Sequence, residues 1–327
     1  MILVTGGAGF IGSNIVAALR ARGHDVAVCD VLGSGDKWQN LRKSMPDAII
    51  EPHELHKILA TTKKLGAVVH MGAISSTTET DADLIWRTNV TLSQYLWEWC
   101  ADRRVPFIYA SSAATYGDGA QGFKDHDDAD FLKTLRPLNP YGWSKHCFDL
   151  WAMDQDSLGA KARPTFWAGL KFFNVYGPNE YHKGGQRSLV PQVVEQVQAT
   201  GGCKLFKSEH PNYADGGQLR DFVSVNDCVA VVEWLLKEGK TARLVNVGSG
   251  TPRSFADLAR AVFTAMDKPE KIEFVAMPDK LRAQYQYFTE GKMDKLRHLG
   301  YHHKPTSLED GVTDYVRNYL LKADPYK

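Results

Sequence analysis

Three observations predict an α/β fold with a doubly wound parallel sheet and a smaller, interleaved C-terminal lobe. From Met1 to about Phe173, short β-branched or apolar runs alternate with segments of helical length. A glycine cluster, "VTGGAGFIG", stands directly after the first of these runs. Beyond Asn174 the alternation breaks into Gly- and Pro-containing loops, then returns in two later strand-like runs.

The runs "ILV", "DVAVCD", "AVVHMGA", "VPFIYAS" and "FWAGLKFF" read as strands, and their near-continuous apolar character suits a sheet covered on both faces. Ala82 to Arg103 has helical length between two of them. In the second half, helices are expected near Leu189 to Ala199, Asn226 to Lys237 and Phe255 to Met266. The runs "RLVNVG" and "KIEFVAM" are expected to return to the sheet. The expected division is therefore a Rossmann-type dinucleotide-binding domain over 1–173, rejoined by segments near 220–247, and a mainly substrate-binding lobe over 174–327. No internal repeat or low-complexity tract interrupts it.

The 327 residues suffice for a sizeable core. With 39 Lys+Arg against 38 Asp+Glu and no long block of one sign, bulk binding to nucleic acid or to a membrane surface is not expected. The five cysteines are odd in number, widely spaced and lack a CxxC pair, which reads as reduced, packed thiols. "HELH" and "YHH" have no third ligand nearby, so no metal site is expected. The N-terminal apolar run stops at Thr5 without a basic n-region, and no segment reaches the roughly 20 apolar residues that span a bilayer, so a cytoplasmic location is expected.

Gly6, Gly9 and Gly12 follow the first strand and open a helix running to about Arg22. Glycines at this spacing permit a tight turn, close backbone approach to a pyrophosphate and close helix-to-strand packing, while the helix N-terminus favours the anion. Asp30 ends the second strand eighteen residues after Gly12, where a carboxylate can hydrogen-bond a ribose hydroxyl. Asp30 alone favours NAD, but Lys37, Arg42 and Lys43 follow within a few residues and supply positive charge for a 2′-phosphate. These residues leave both cofactors open.

"NPYGWSKH" places Tyr141 and Lys145 four residues apart, on one face of a helix that starts near Pro140. An ammonium beside a phenol stabilises the phenolate, which is expected to bring Tyr141 toward use as a proton acceptor. Ser111 and Ser112 fall at the C-terminal end of a predicted strand, where open α/β sheets place their ligands. Lys183, in the glycine-flanked stretch "NVYGPNEYHKGG", lies in a loop after the strand ending at Phe173, in the same crevice region.

The Gly-x-x-Gly-x-x-Gly spacing, with Ser112, Tyr141 and Lys145, resembles the extended, nucleotide-sugar-modifying branch of the short-chain dehydrogenase/reductase superfamily. Dehydratases of that branch carry an Asp-Glu pair after the serine; here those positions are Ala113 and Ala114, so elimination lacks its acid and base. "FFNVYGPNEYHKG", "MGAISSTTETD", "ASSAATYG", "LRDFVSVND" and "YQYFT" together resemble the ADP-L-glycero-D-manno-heptose 6-epimerase family over nearly the whole chain.

That resemblance implies an isomerase that inverts C-6″ of ADP-D-glycero-β-D-manno-heptose by transient oxidation, supplying heptose for lipopolysaccharide cores. It implies NADP as cofactor, with NAD the alternative, and a homo-oligomer, typically a pentamer. Ser112, Tyr141 and Lys145 take the superfamily's catalytic roles, and Lys183 that of the family's second acid/base. The implied cofactor contacts are Gly6, Gly9, Phe10, Ile11, Gly12, Asp30, Val31 and Lys37, then Met71, Gly72, Ala73, Ile74, Ser75, Asn89 and Val175, together with Tyr141 and Lys145. The implied substrate contacts are Ser112, Lys183, Asn174, Gln192, Phe206, Lys207, Ser208, Glu209, Arg220 and Tyr285. Arg220 also has a physical reason, since a guanidinium forks onto a pyrophosphate. The chain departs from the family at Val31, where an asparagine is common, and in a longer loop from Lys207 to Gln218. The rival readings are a UDP-hexose 4-epimerase with a single catalytic tyrosine, which does not need Lys183, and a non-catalytic, cofactor-sensing member of the superfamily.

Overall fold

The computed structural model describes residues 1–278 and 286–327. Among them, strands β1 (Ile2–Thr5), β2 (Val26–Cys29), β3 (Ala48–Ile50), β4 (Ala67–His70), β5 (Phe107–Ser112) and β6 (Trp167–Phe172) join Arg243–Val247 in one sheet. The order across it is Arg243–Val247, β6, β5, β4, β1, β2, β3, and every pairing is parallel. The order reverses between β1 and β4, which opens a crevice at their C-terminal ends. β1, β2, β4 and β6 are buried at every position, as their apolar runs require when helices cover both faces.

The strands expected from the sequence appear with shifted ends, and the short β3 is an addition. The helices of the second half also stand where expected, at Leu189–Thr200, Val225–Glu238 and Phe255–Ala265. The expected helix from Ala82 to Arg103 is present but passes through a π-helical turn, Trp86–Thr91, between Ala82–Ile85 and Leu92–Arg103.

One expectation needs correction. Arg243–Val247 returns to the sheet beside β6, but the strand within "KIEFVAM", Ile272–Val275, pairs with Cys203–Phe206 in a separate two-stranded ribbon. Four of the five residues of the first strand are fully buried, whereas none of the second is. A strand with no fully covered position suits an edge ribbon better than the interior of a covered sheet.

Among the described residues, two hydrophobic cores result. The larger holds the sheet with its helices, including Trp97, Phe107, Tyr109, Phe148 and Trp167. The smaller is built from the second half, around Val190, Val193, Leu258, Val262, Val312 and Tyr315. Among the described residues, no helix is long and apolar enough to cross a membrane.

Candidate active site

The glycine turn lies between β1 and the helix Phe10–Ala21. Gly6 has φ 64°, and a Cβ there would meet the Gly72 nitrogen at 2.5 Å. At Gly12 a Cβ would stand 2.0 Å from the Gly6 carbonyl oxygen. Only glycine fits at either position, so the turn stays open toward the crevice.

Asp30 is held at the end of β2: its Oδ2 accepts from the Ala8 N–H at 2.9 Å and its Oδ1 from the Val31 N–H at 2.7 Å. Lys37 donates to Asp30 Oδ1 at 2.6 Å and to the Val31 carbonyl at 2.8 Å. Arg42 and Lys43 are engaged elsewhere, both paired with Asp324. Of the three basic residues considered for a 2′-phosphate, the fold thus brings Lys37 to Asp30 and ties the other two to the C-terminal segment.

A cleft of about 310 Å³ runs from this turn to Ser112, Tyr141, Lys145 and Lys183. Gly6, Gly9, Phe10, Ile11, Gly12, Asp30, Lys37, Met71, Gly72, Ala73, Ser75 and Val175 all line it. Val31 is instead exposed, contributing backbone atoms to the Asp30–Lys37 pair. Ile74 and Asn89 do not line the cleft. The Asn89 side chain is buried, accepting from the Ile74 N–H at 2.8 Å and donating to the Ile74 carbonyl and the Ser144 hydroxyl, both at 3.0 Å. It clamps the loop after β4 to the helix Pro140–Ser157, which carries Tyr141 and Lys145.

That helix starts where the sequence predicts, with Pro140 at its first position and the Asn139 side chain accepting from the Gly142 N–H at 2.8 Å. The choice between the two serines follows from burial. Both serines line the cleft, but Ser111 is fully covered and its hydroxyl is committed to Asp149 Oδ2 at 2.7 Å, while Ser112 is half-buried. Asp149 also accepts from Tyr109 at 2.9 Å and from Lys171 Nζ at 2.6 Å, and Lys171 donates to Thr115 Oγ1 at 2.7 Å.

This buried ion pair beneath Tyr141 and Lys145 is absent from the sequence reading. Two signals point to it: Lys171 is the one charge inside the apolar strand "FWAGLKFF", and Asp149 lies one helical turn beyond Lys145 on the same face. His182 also lines the cleft, next to Lys183 in the stretch already singled out, and burial followed by the charges of Lys37 and Lys183 pushes it down to about 4.

Burial lowers Lys145 to about 8, opposed by the Asp149 carboxylate. Tyr141 differs from the sequence expectation. Burial, helped by Asp149, raises its phenol above the ordinary value, and the hydrogen bond with Ser112 is the influence that opposes this. At rest it is therefore a protonated acid with a hydrogen-bonded oxygen. Lys183, half-buried, is also lowered by burial, with Glu180 opposing; its Nζ lies 5.5 Å from the centre of the Phe10 ring.

A second cleft of about 940 Å³ opens from the first. Ser75, Phe173, Val175 and Lys183 line both clefts, and Asn174, Gln192 and Phe206 line the second. Its size suits a large polar ligand. Lys207, Ser208, Glu209 and Arg220 do not line it. Ser208 and Glu209 are tied at its margin, the first to Asp215 at 2.8 Å and the second to Tyr287 at 3.2 Å. Arg220 donates to the Leu219 and Gln286 carbonyls. Tyr285 lies outside the described residues. The polar groups lining it that the sequence did not point to include Thr77, Thr78, Gln186, Arg187, Ser188, Gln196, Lys204 and Gln218, from separate segments with no shared motif. Among the described residues, no group of three or more His, Cys, Asp or Glu is placed to hold a metal ion.

The chain is 49% identical over 330 residues to a protein of Nitratidesulfovibrio vulgaris strain DP4 named ADP-L-glycero-D-manno-heptose-6-epimerase, with 100% of each chain covered. Among solved structures it resembles the Helicobacter pylori ADP-L-glycero-D-manno-heptose-6-epimerase, with a TM-score of 0.79 and 27% identity over 97% of this chain and 95% of that one. It also resembles the Thermus thermophilus UDP-glucose 4-epimerase in complex with NAD, with a TM-score of 0.73 and 26% identity over 95% and 96% of the two chains. The NAD dependent epimerase/dehydratase family matches residues 2–248, which hold the glycine turn, the Ser-Tyr-Lys set and Lys183, and the chain belongs to that family.

Proposed function

We propose that the chain is an ADP-heptose 6-epimerase, inverting C-6″ of ADP-D-glycero-β-D-manno-heptose to the L-glycero epimer. The observation that carries this reading is the pairing of Tyr141 with Lys183: two ionisable donors from different segments line one cleft, and Lys183 also lines the larger cleft beside it. The full-length relative of that name supports the sugar.

The glycine turn, Asp30 and the cleft leading to Tyr141 and Lys145 fit a nicotinamide dinucleotide, which supplies the hydride acceptor and donor that side chains lack. Ser112 hydrogen-bonds the reacting oxygen. Tyr141 and Lys183 each hold or take a proton at that oxygen, one as the carbinol becomes a 6″-ketone and the other as the ketone is reduced on its opposite face. Rotation of that end of the sugar between the two halves exchanges the faces. Lys145 orients the cofactor's ribose. NADP is the preferred cofactor in this reading, because Lys37 neutralises Asp30 where a 2′-phosphate would meet it.

The test is a proton NMR time course of ADP-D-glycero-β-D-manno-heptose with the purified protein, first without added cofactor and then with NADP or NAD. Conversion toward an epimer mixture is expected, and Lys183→Ala is expected to lose about 10²-fold or more of it. Full activity in that variant, or turnover of UDP-hexoses alone, sinks the two-donor reading in favour of a single-tyrosine 4-epimerase. Light scattering checks the accompanying expectation of a homo-oligomer.

A further inference from the structure

We propose that Glu180 is the positioning residue for Lys183: its buried carboxylate clasps shut the loop that carries this lysine. The proposal rests on the reading of Lys183 as an acid/base group.

The loop, Tyr181–Gln186, has 3-10 character broken by a kink at Gly184, which is followed by a second glycine, Gly185. Such a turn has little rigidity of its own. Glu180 stands at its entrance and is 0% exposed. The carboxylate accepts from the Gly177 N–H at 3.4 Å before the turn, and from the Ser188 hydroxyl at 2.7 Å and the Ser188 N–H after it. Both ends of the loop thus hang on one side chain, and the Lys183 N–H itself donates to the Glu180 carbonyl at 3.0 Å.

The base of the loop is tied to the cofactor turn by three buried asparagines. Asn14 donates to the Pro178 carbonyl at 2.9 Å and Asn40 to the Asn179 carbonyl at 3.1 Å. Asn179, at φ 75°, donates to Ser13 Oγ at 3.0 Å. Both lysine and glycine turn are therefore held in one frame.

A buried carboxylate is expensive unless compensated. Burial raises Glu180, while the Ser188 bonds and the Lys183 charge oppose that rise. Tyr181, Tyr315 and Arg187 are the other titratable groups that sense its charge. Around Lys183 stand Glu180 and His182 from its own loop, Lys37 and Asp30 across the turn, and Tyr141 and Lys145 from the catalytic helix. Removing the Glu180 charge favours neutral Lys183, so its titration moves to lower pH.

The experiment uses competitive labelling of lysines by acetic anhydride over a pH series, read by mass spectrometry at Lys183, in the wild type, E180Q and E180D. It needs no substrate, so it fails or succeeds independently of the epimerase reading. In folded E180Q the Lys183 labelling midpoint is expected at lower pH than in wild type, with E180D restoring it toward wild type. Alongside, kcat is expected to fall about tenfold or more with KM little changed, part of the roughly 10²–10⁴-fold that an acid/base group supplies. A midpoint in E180Q that matches wild type overturns the proposal. Should E180Q fail to fold, S188A replaces it: unchanged labelling together with unchanged kcat overturns the proposal, and a lower kcat with a displaced labelling curve supports it.

Discussion

Lys145 and Lys183 face one cleft from regions that are built differently. Lys145 stands on an 18-residue helix whose buried face carries Asp149, itself paired with Lys171 from the central sheet. Lys183 stands on a short turn held by one carboxylate and three asparagine side chains. Both ammonium groups are destabilised by burial and both are offset by an acid, Asp149 in one case and Glu180 in the other. The same electrostatic result comes from a rigid element in the first region and from a clasped loop in the second. The support beneath the helix-borne half, the Asp149–Lys171 pair, should therefore be inseparable from the stability of the fold, and that of the loop-borne half should not.

The largest effect expected is on the helix side. Tyr141→Phe removes the phenol oxygen and should cut turnover by roughly 10²–10⁴-fold while leaving the melting temperature near wild type, measured by NMR and calorimetry. Asp149→Asn tests the support beneath it. It leaves Lys171 buried without its counter-charge and should cost about 3–5 kcal/mol in denaturant unfolding; a loss below about 1 kcal/mol would erase the contrast between the two regions.

On the loop side, Gly184 has φ 56° and ψ −127°, and a Cβ there would meet nothing within 4 Å. Gly184→Ala should cost only the backbone strain, about 1–3 kcal/mol, while displacing Lys183 and lowering kcat. A kcat equal to wild type would show that the turn tolerates rearrangement.

A further effect, seen only at acid pH, concerns the sheet beside the glycine turn. His70 is fully covered, bonded to Thr5 Oγ1 at 2.5 Å and Ser93 Oγ at 2.9 Å, and burial, with the Lys145 charge, pushes it from 6.5 to about 3. Its folded value is depressed, so the native state holds fewer protons than the unfolded chain below pH 6.5. Its contribution is complete above that pH and is lost progressively as the pH falls toward about 3. A thermal-melt series should show this acid limb flattened in His70→Asn.

Much of this was legible in the residues. The glycine turn, the strands and the Tyr141–Lys145 face depend on neighbours within a few positions, and local periodicity records such relations. The helix start at Pro140 is a case in point, since its proline and capping asparagine are adjacent in the chain. Most of the residues expected at the cofactor line the cleft for the same reason; Val31 is exposed, and Ile74 and Asn89 satisfy each other instead. The run "KIEFVAM" failed because a short apolar strand carries no mark of which sheet it joins.

By itself the sequence determined an α/β chain with a dinucleotide turn, a Ser-Tyr-Lys set and a second lysine in a glycine-flanked loop. Only the tertiary structure decided that the Ser111 hydroxyl is committed to Asp149, that Lys37 and not Arg42 or Lys43 meets Asp30, and that Asp149 and Glu180 stand behind the two lysines. The reason is physical. Burial and charge compensation are set by segments distant in the chain, as with Asp149 and Lys171, 22 residues apart, or Asn14 and Pro178, 164 apart. No local pattern encodes which of these segments will pack together.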